Sequence, residues 1–82
     1  MSDWQYSTHA LRMIQERRIE EAWVRRVTES PETEQVAEDG TIHYIASIPE
    51  YGGRYLRVVV NPAVTPRTIV TIFFDRRLRR RP

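Results

Sequence analysis

Cysteine and lysine are both missing from this 82-residue chain. Without cysteine there is no disulfide, no thiolate metal site and no thiol nucleophile, so stability has to come from packing or from a partner subunit. No apolar run approaches the roughly 18 residues of a membrane span, and the start of the chain, with Asp3 and no apolar stretch, does not read as a secretory signal; a cytoplasmic protein is expected. The length allows one domain with one modest core. Glycine numbers only three, and the adjacent pair Gly52-Gly53 has no helical pattern after it, which makes it a turn rather than a phosphate loop. Of the two histidines, His43 sits in a strand pattern with no second ligand near it in sequence, so neither a metal nor a cofactor is expected.

What the chain does have is arginine: all thirteen basic residues other than histidine are Arg. GC-rich codon usage accounts for such a bias, and so does a need for the planar fork that grips phosphate or carboxylate with two bonds. The distribution says more than the net charge of +2, because Arg76, Arg77, Arg79, Arg80 and Arg81 crowd the last seven residues. Residues 1–75, with eight arginines against eleven acids, carry a net −3. The expected organisation is therefore one folded domain over 1–75 and a tail over 76–82, either a solvated, disordered end or a nucleic-acid contact.

Apolar spacing gives the elements. Ser7 or Thr8 is a good cap for a helix running to about Arg17, with Ala10, Leu11, Met13 and Ile14 on its core stripe and His9, Arg12 and Glu16 on the other side. Trp4 and Tyr6 precede it as a packing arm. Ile19, Trp23 and Val27 recur at four-residue intervals in a second helix that opens with Glu20 and Glu21 and stops at Pro31. The acidic stretch that follows holds a short edge strand at Val36, then a turn at Asp39-Gly40. Strands are expected over Thr41–Ile48, Arg54–Asn61, where Leu56, Val58 and Val60 share a face, and Thr68–Phe74. Short connections imply an antiparallel meander, so the fold class is α+β: two N-terminal helices on one face of a three- to four-stranded antiparallel sheet.

The chemistry sits on the first helix, which places His9 near three arginines. Histidine is the side chain best suited to move protons near neutral pH, although in a first helical turn it more often caps or packs. Arg12 follows one turn later and Arg17 two turns later, and Arg57 comes from the central strand; together they are able to clamp a phosphate. Glu16 is a candidate orienting carboxylate, and also the i, i+4 ion-pair partner of Arg12. Tyr44, Arg54, Tyr55 and Thr71 are supporting candidates if the sheet curls toward the helix.

The run His9-Ala10-Leu11-Arg12-Met13, Glu16-Arg17 and Ile19, followed by Ser30-Pro31-Glu32, Tyr44, Gly53-Arg54, Leu56-Arg57-Val58-Val59-Val60 and Ile69-Val70-Thr71, resembles a small bacterial family, domain-of-unknown-function family 4258. Its members carry glycine where this chain has Arg18, a place where a left-handed helix cap costs arginine free energy. That family is similar in fold to the RelE, ParE and BrnT group of toxin-antitoxin toxins, some of which cut RNA without a metal. The resemblance implies a RelE-like fold and a metal-independent endoribonuclease in which His9, Glu16, Arg17 and Arg57 carry the reaction, with Arg12, Arg54 and the tail arginines holding RNA. It also implies an antitoxin-like protein partner; a homodimer is open as well. The alternative is a non-catalytic module of the same fold that binds protein or nucleic acid.

Overall fold

The computed structural model describes residues 4–78. Arg79, Arg80 and Arg81, named above as nucleic-acid contacts, lie outside the described residues. The elements run β1 (Trp4–Tyr6), α1 (Thr8–Arg17), α2 (Glu21–Glu29), β2 (Thr33–Val36), β3 (Ile42–Ile48), a single 3-10 turn (Pro49–Tyr51), β4 (Arg54–Asn61) and β5 (Arg67–Phe74). The fold is α+β, as the spacing predicts.

The sheet departs from expectation in two respects. It has five strands, in the order β1-β5-β4-β3-β2, and it is mixed, because β1 runs parallel to β5. Trp4 and Tyr6 pack against the core as expected, but as alternate residues of a strand paired with Arg67 and Ile69. Three residues are too few to show a period of two, and a parallel partner 63 residues away leaves no turn signature between them. The β2-β3-β4-β5 part is the antiparallel meander expected.

One face of the sheet holds the core. Tyr44, Ala46 and Ile48 of β3, Leu56, Val58 and Val60 of β4, and Ile69 and Ile72 of β5 are buried together with Trp23, Val24 and Val27 of α2 and Ala10 of α1. Alternation along β4 keeps its even-numbered residues on this face, and a register shift between Val59 and Val60 lets Ile69 join it. Branched apolar side chains on a pleated surface, with a helix stripe against them, suffice to explain why these segments fold as they do.

α1 differs from the helix the sequence suggests. Only Ala10 is fully buried, whereas Leu11 is 48% exposed. The reason is position: α1 lies alongside the second half of β5, beyond the point where β1 stops, so it covers a sheet edge rather than a face. Ser7 makes the junction. Its Oγ accepts from the Ala10 N–H at 3.0 Å and donates to the Val70 carbonyl at 2.8 Å, and its own N–H donates to the Ile69 carbonyl at 2.9 Å. Losing an N-cap of this kind costs about 1 kcal/mol.

At the other end α1 closes on Arg18, in the left-handed conformation with φ 53° and ψ 44°. The N–H groups of Arg18 and Ile19 both donate to the Ile14 carbonyl, and Ile19 is buried while Ile14 packs against the same core. This is the hydrogen-bonded and apolar closure that usually ends on glycine. Ile19 thus belongs to the connection, and α2 starts two residues later than its apolar spacing suggests, with Glu20 as cap. Arg26 of α2 then grips Glu50 with both terminal nitrogens, at 2.8 and 2.6 Å.

Candidate functional site

The opposite face of the sheet receives the odd-numbered residues of β3 and β4 and, among the described residues, carries no helix. Its centre is a polar network. Arg57, 8% exposed, directs Nε and Nη2 to Asp75 Oδ2, each at 2.9 Å, and Nη1 to His43 Nδ1 at 2.9 Å, with Gln35 Oε1 at 3.5 Å. Asp75, 4% exposed, also accepts from Arg77: the backbone N–H at 3.0 Å, Nε at 3.1 Å and Nη2 at 3.1 Å. The Arg77 bonds, then those from Arg57, hold the Asp75 carboxyl down to about 2, against the opposing effect of burial.

The network fixes the state of His43. A guanidinium only donates, so Nδ1 must present its lone pair, which leaves the hydrogen on Nε2, 3.4 Å from Thr41 Oγ1. Burial and the neighbouring Arg57 charge push the His43 pKa down, while Asp39 pulls weakly the other way. His43 is a neutral acceptor for Arg57, and the nitrogen able to take a proton is already occupied.

Two sequence expectations are corrected here. Arg57 is expected from the sequence as a free cation able to clamp a phosphate; it is buried, and its charge is matched by Asp75. A cation placed between Leu56 and Val58 in a buried strand has to be paired, because an isolated charge in that environment is costly. Tyr44 was a supporting candidate; it lies on the core face, edge-on to Trp4 with ring centroids 5.8 Å apart.

His9 stands at the start of α1 on the exposed surface, with Nε2 3.1 Å from Thr71 Oγ1. Thr71 pairs with Val59, which puts it on the same sheet face as Arg57. Arg17 is eight residues further on, about 12 Å along the helix axis, and gathers with a different set. It lines an open cleft of about 930 Å³ at the end of the sheet, together with Arg54 and Tyr55 of β4, Phe73 and Phe74 of β5, Arg76, and Tyr51 of the 3-10 turn. Arg54 Cζ sits 4.9 Å from the centroid of the Tyr51 ring. Asp75 also borders the cleft, but its charge is taken up by Arg57 and Arg77.

The sequence-predicted set is therefore split. Arg17, Arg54 and Arg76 come together with Tyr55; His9 and Thr71 form a separate contact; Arg57 and Arg77 are committed to Asp75. Arg12 and Glu16 are exposed, and they do not form the i, i+4 ion pair expected of them; the ion pairs among the described residues are Arg26–Glu50, Arg57–Asp75 and Arg77–Asp75. Sequence reasoning missed Asp75, Phe73 and the role of His43. No sequence signal pointed to Asp75, because the burial of Arg57 that calls for a counter-charge is seen only in the structure.

Among the described residues no three His, Asp or Glu side chains come together to hold a metal ion, and no helix is long and apolar enough to cross a membrane. No curated protein and no solved structure matches the chain. The family described as a domain of unknown function (DUF4258) matches residues 6–74, from the last residue of β1 to the last of β5, thus spanning both helices and the network strands. The chain belongs to that family.

Proposed function

We propose that this protein binds single-stranded RNA through the arginine-lined cleft. The observation that carries the reading is that Arg17, Arg54 and Arg76, from three separate segments, line one cleft with Tyr55 and Phe73 while the nearby carboxylate is neutralised by other arginines. Guanidinium groups suit phosphate oxygens, and aromatic rings stack on bases without regard to sequence. Fluorescence anisotropy of a labelled single-stranded RNA, titrated at several salt concentrations, tests it. Each of Arg17→Gln, Arg54→Gln and Arg76→Gln is expected to weaken binding and to flatten the log K against log salt slope by about 0.7. Unchanged affinity and slope in the triple variant would refute the reading.

A second reading is a metal-independent endoribonuclease resembling the RelE, ParE and BrnT toxins, in which His9 exchanges protons, Arg17 stabilises the phosphorane charge, Glu16 orients, and an antitoxin-like protein restrains the activity. The favouring observation is that His9 is exposed and its ring is oriented by Thr71. The roughly 12 Å between His9 and Arg17 along the helix, and the engagement of Arg57 by Asp75, weigh toward the binding reading. Induction of the protein and of His9→Ala in bacteria separates the two: a growth defect and RNA fragmentation lost in His9→Ala support cleavage, and RNA left intact by both proteins supports binding alone.

A further inference from the structure

The sheet has two edges, and they are finished differently. On one side β1 gives way to α1, which continues alongside β5. On the other side β2 pairs, among the described residues, with β3 alone, and all four of its residues are exposed. Val36, at 74%, is the most exposed large apolar side chain among the described residues. No proline, lysine or bulge, three of the devices against strand addition, blunts this edge.

The edge is also held in place. Glu32 Oε2 accepts from the N–H and Oγ of Ser47 at 2.9 and 2.7 Å, which pins the start of β2 to the end of β3. Beyond Val36 the turn is closed by the Ala37 N–H on the Thr41 carbonyl at 2.8 Å and by the Thr41 N–H and hydroxyl on Asp39 Oδ1 at 2.9 and 2.6 Å. An incoming strand would meet a template that is already ordered, so less conformational entropy is lost on pairing.

We propose that β2 is the docking edge for an extended basic segment of a partner protein, which adds to the sheet as a sixth strand. The chemistry of the edge selects that occupant. Residues 28–41 carry Glu29, Glu32, Glu34, Glu38 and Asp39 and no base. Two copies of this chain joined β2 to β2 would bring these acids face to face, which like charges oppose. A strand of opposite charge meets no such barrier. Glu34 and Val36 pair with Tyr44 and Ile42 and so share one face of the sheet. The matching segment places an Arg or Lys opposite Glu34 and an apolar residue opposite Val36, two positions apart, with main-chain bonds supplying the rest.

The test uses a fluorescein-labelled peptide of the sequence Thr-Arg-Thr-Val-Thr-Arg-Thr-Val, which offers this spacing in either direction. Two controls accompany it: the same peptide with Glu for Arg, and one N-methylated at consecutive residues so that neither of its edges can pair. Binding of the first peptide alone is expected, with slowed amide exchange confined to residues 32–37 and their neighbours in β3, and with affinity lowered about tenfold by Glu34→Lys, the effect of about 1.4 kcal/mol. Equal binding of the N-methylated peptide reduces the effect to charge attraction and overturns the proposal. So does binding of the acidic peptide, protection elsewhere in the chain, or a concentration-dependent dimer whose protection maps to β2. Because Glu34 is absent from the arginine cleft, RNA titration of Glu34→Lys reports separately on the proposed RNA site.

Discussion

The two faces of the sheet follow different rules. On the helix face every buried side chain is apolar, and any one of them is exchangeable for another of similar volume at modest cost. On the open face Ile45 and Val59 are buried as well, but the centre is an arginine tied to an aspartate, a histidine and a glutamine contributed by four separate segments. The first face tolerates replacement of parts; the second works only when complete, since a buried charge stripped of its partner keeps the penalty of burial and loses the compensation.

Breaking one member of each face shows the contrast at its largest. Asp75→Asn, which leaves the Arg57 guanidinium without its counter-charge, is expected to lower unfolding free energy by about 3–5 kcal/mol, against about 2–5 kcal/mol for Leu56→Ala on the core face. The sharper comparison is the double replacement Arg57→Met with Asp75→Leu. Urea denaturation should find it far less damaging than either single change, because it removes both charges at once. Additive losses would show that the pair acts as two independent packing groups.

Acid titration extends the contrast to pH. Asp75 is held at about 2 when folded against an ordinary 3.8, so its contribution is present above the ordinary value and is lost as pH falls from about 4 toward 2. Glu50, also held at about 2 by Arg26, adds a loss in the same window. His43, lowered from 6.5, gives the same sign higher up: the unfolded chain takes the proton first, so stability falls as pH drops below about 6.5. Thermal melts of the native chain should show both steps. The Arg57→Met, Asp75→Leu variant should keep the parts of the acid step due to Glu50 and to Asp39, whose carboxyl Thr41 also holds down, and lose the part due to Asp75.

The smallest effect concerns the helix edge. Arg18→Gly relieves a left-handed backbone that costs an ordinary residue roughly 1 kcal/mol, and it should raise the melting temperature by a few degrees. No change, or a loss, would mean that the Arg18 side chain supplies a compensating interaction.

Legibility in the sequence follows the same division. Leu56, Val58 and Val60 declare their common face by alternation, Ser7 and Pro31 mark helix limits, and Arg18 announces strain where the family resemblance has glycine; each is a local signal, and the structure agrees with each. β1 was not legible, since three residues carry no period and their partner is remote. The candidate site was legible as residue types and not as groupings. Arg17, Arg54 and Arg57 all read as free cations, and only three-dimensional proximity reveals that Arg57 belongs to Asp75 while Arg17 and Arg54 share a cleft with Arg76. Charge pairing across strands has no short-range pattern from which to infer it.

The parallel pairing of β1 with β5 has a consequence for how the chain is made. His9 and Thr71, which touch, are 62 residues apart, and Ser7 is bonded to Val70 across 63. A ribosome adding about 5–20 residues per second needs about 3–12 s to deliver the second partner after the first has emerged. Throughout that interval β1 and α1 lack β5, the strand they lie against. The N-terminal segment that carries His9 is thus among the first parts synthesised and the last to be seated.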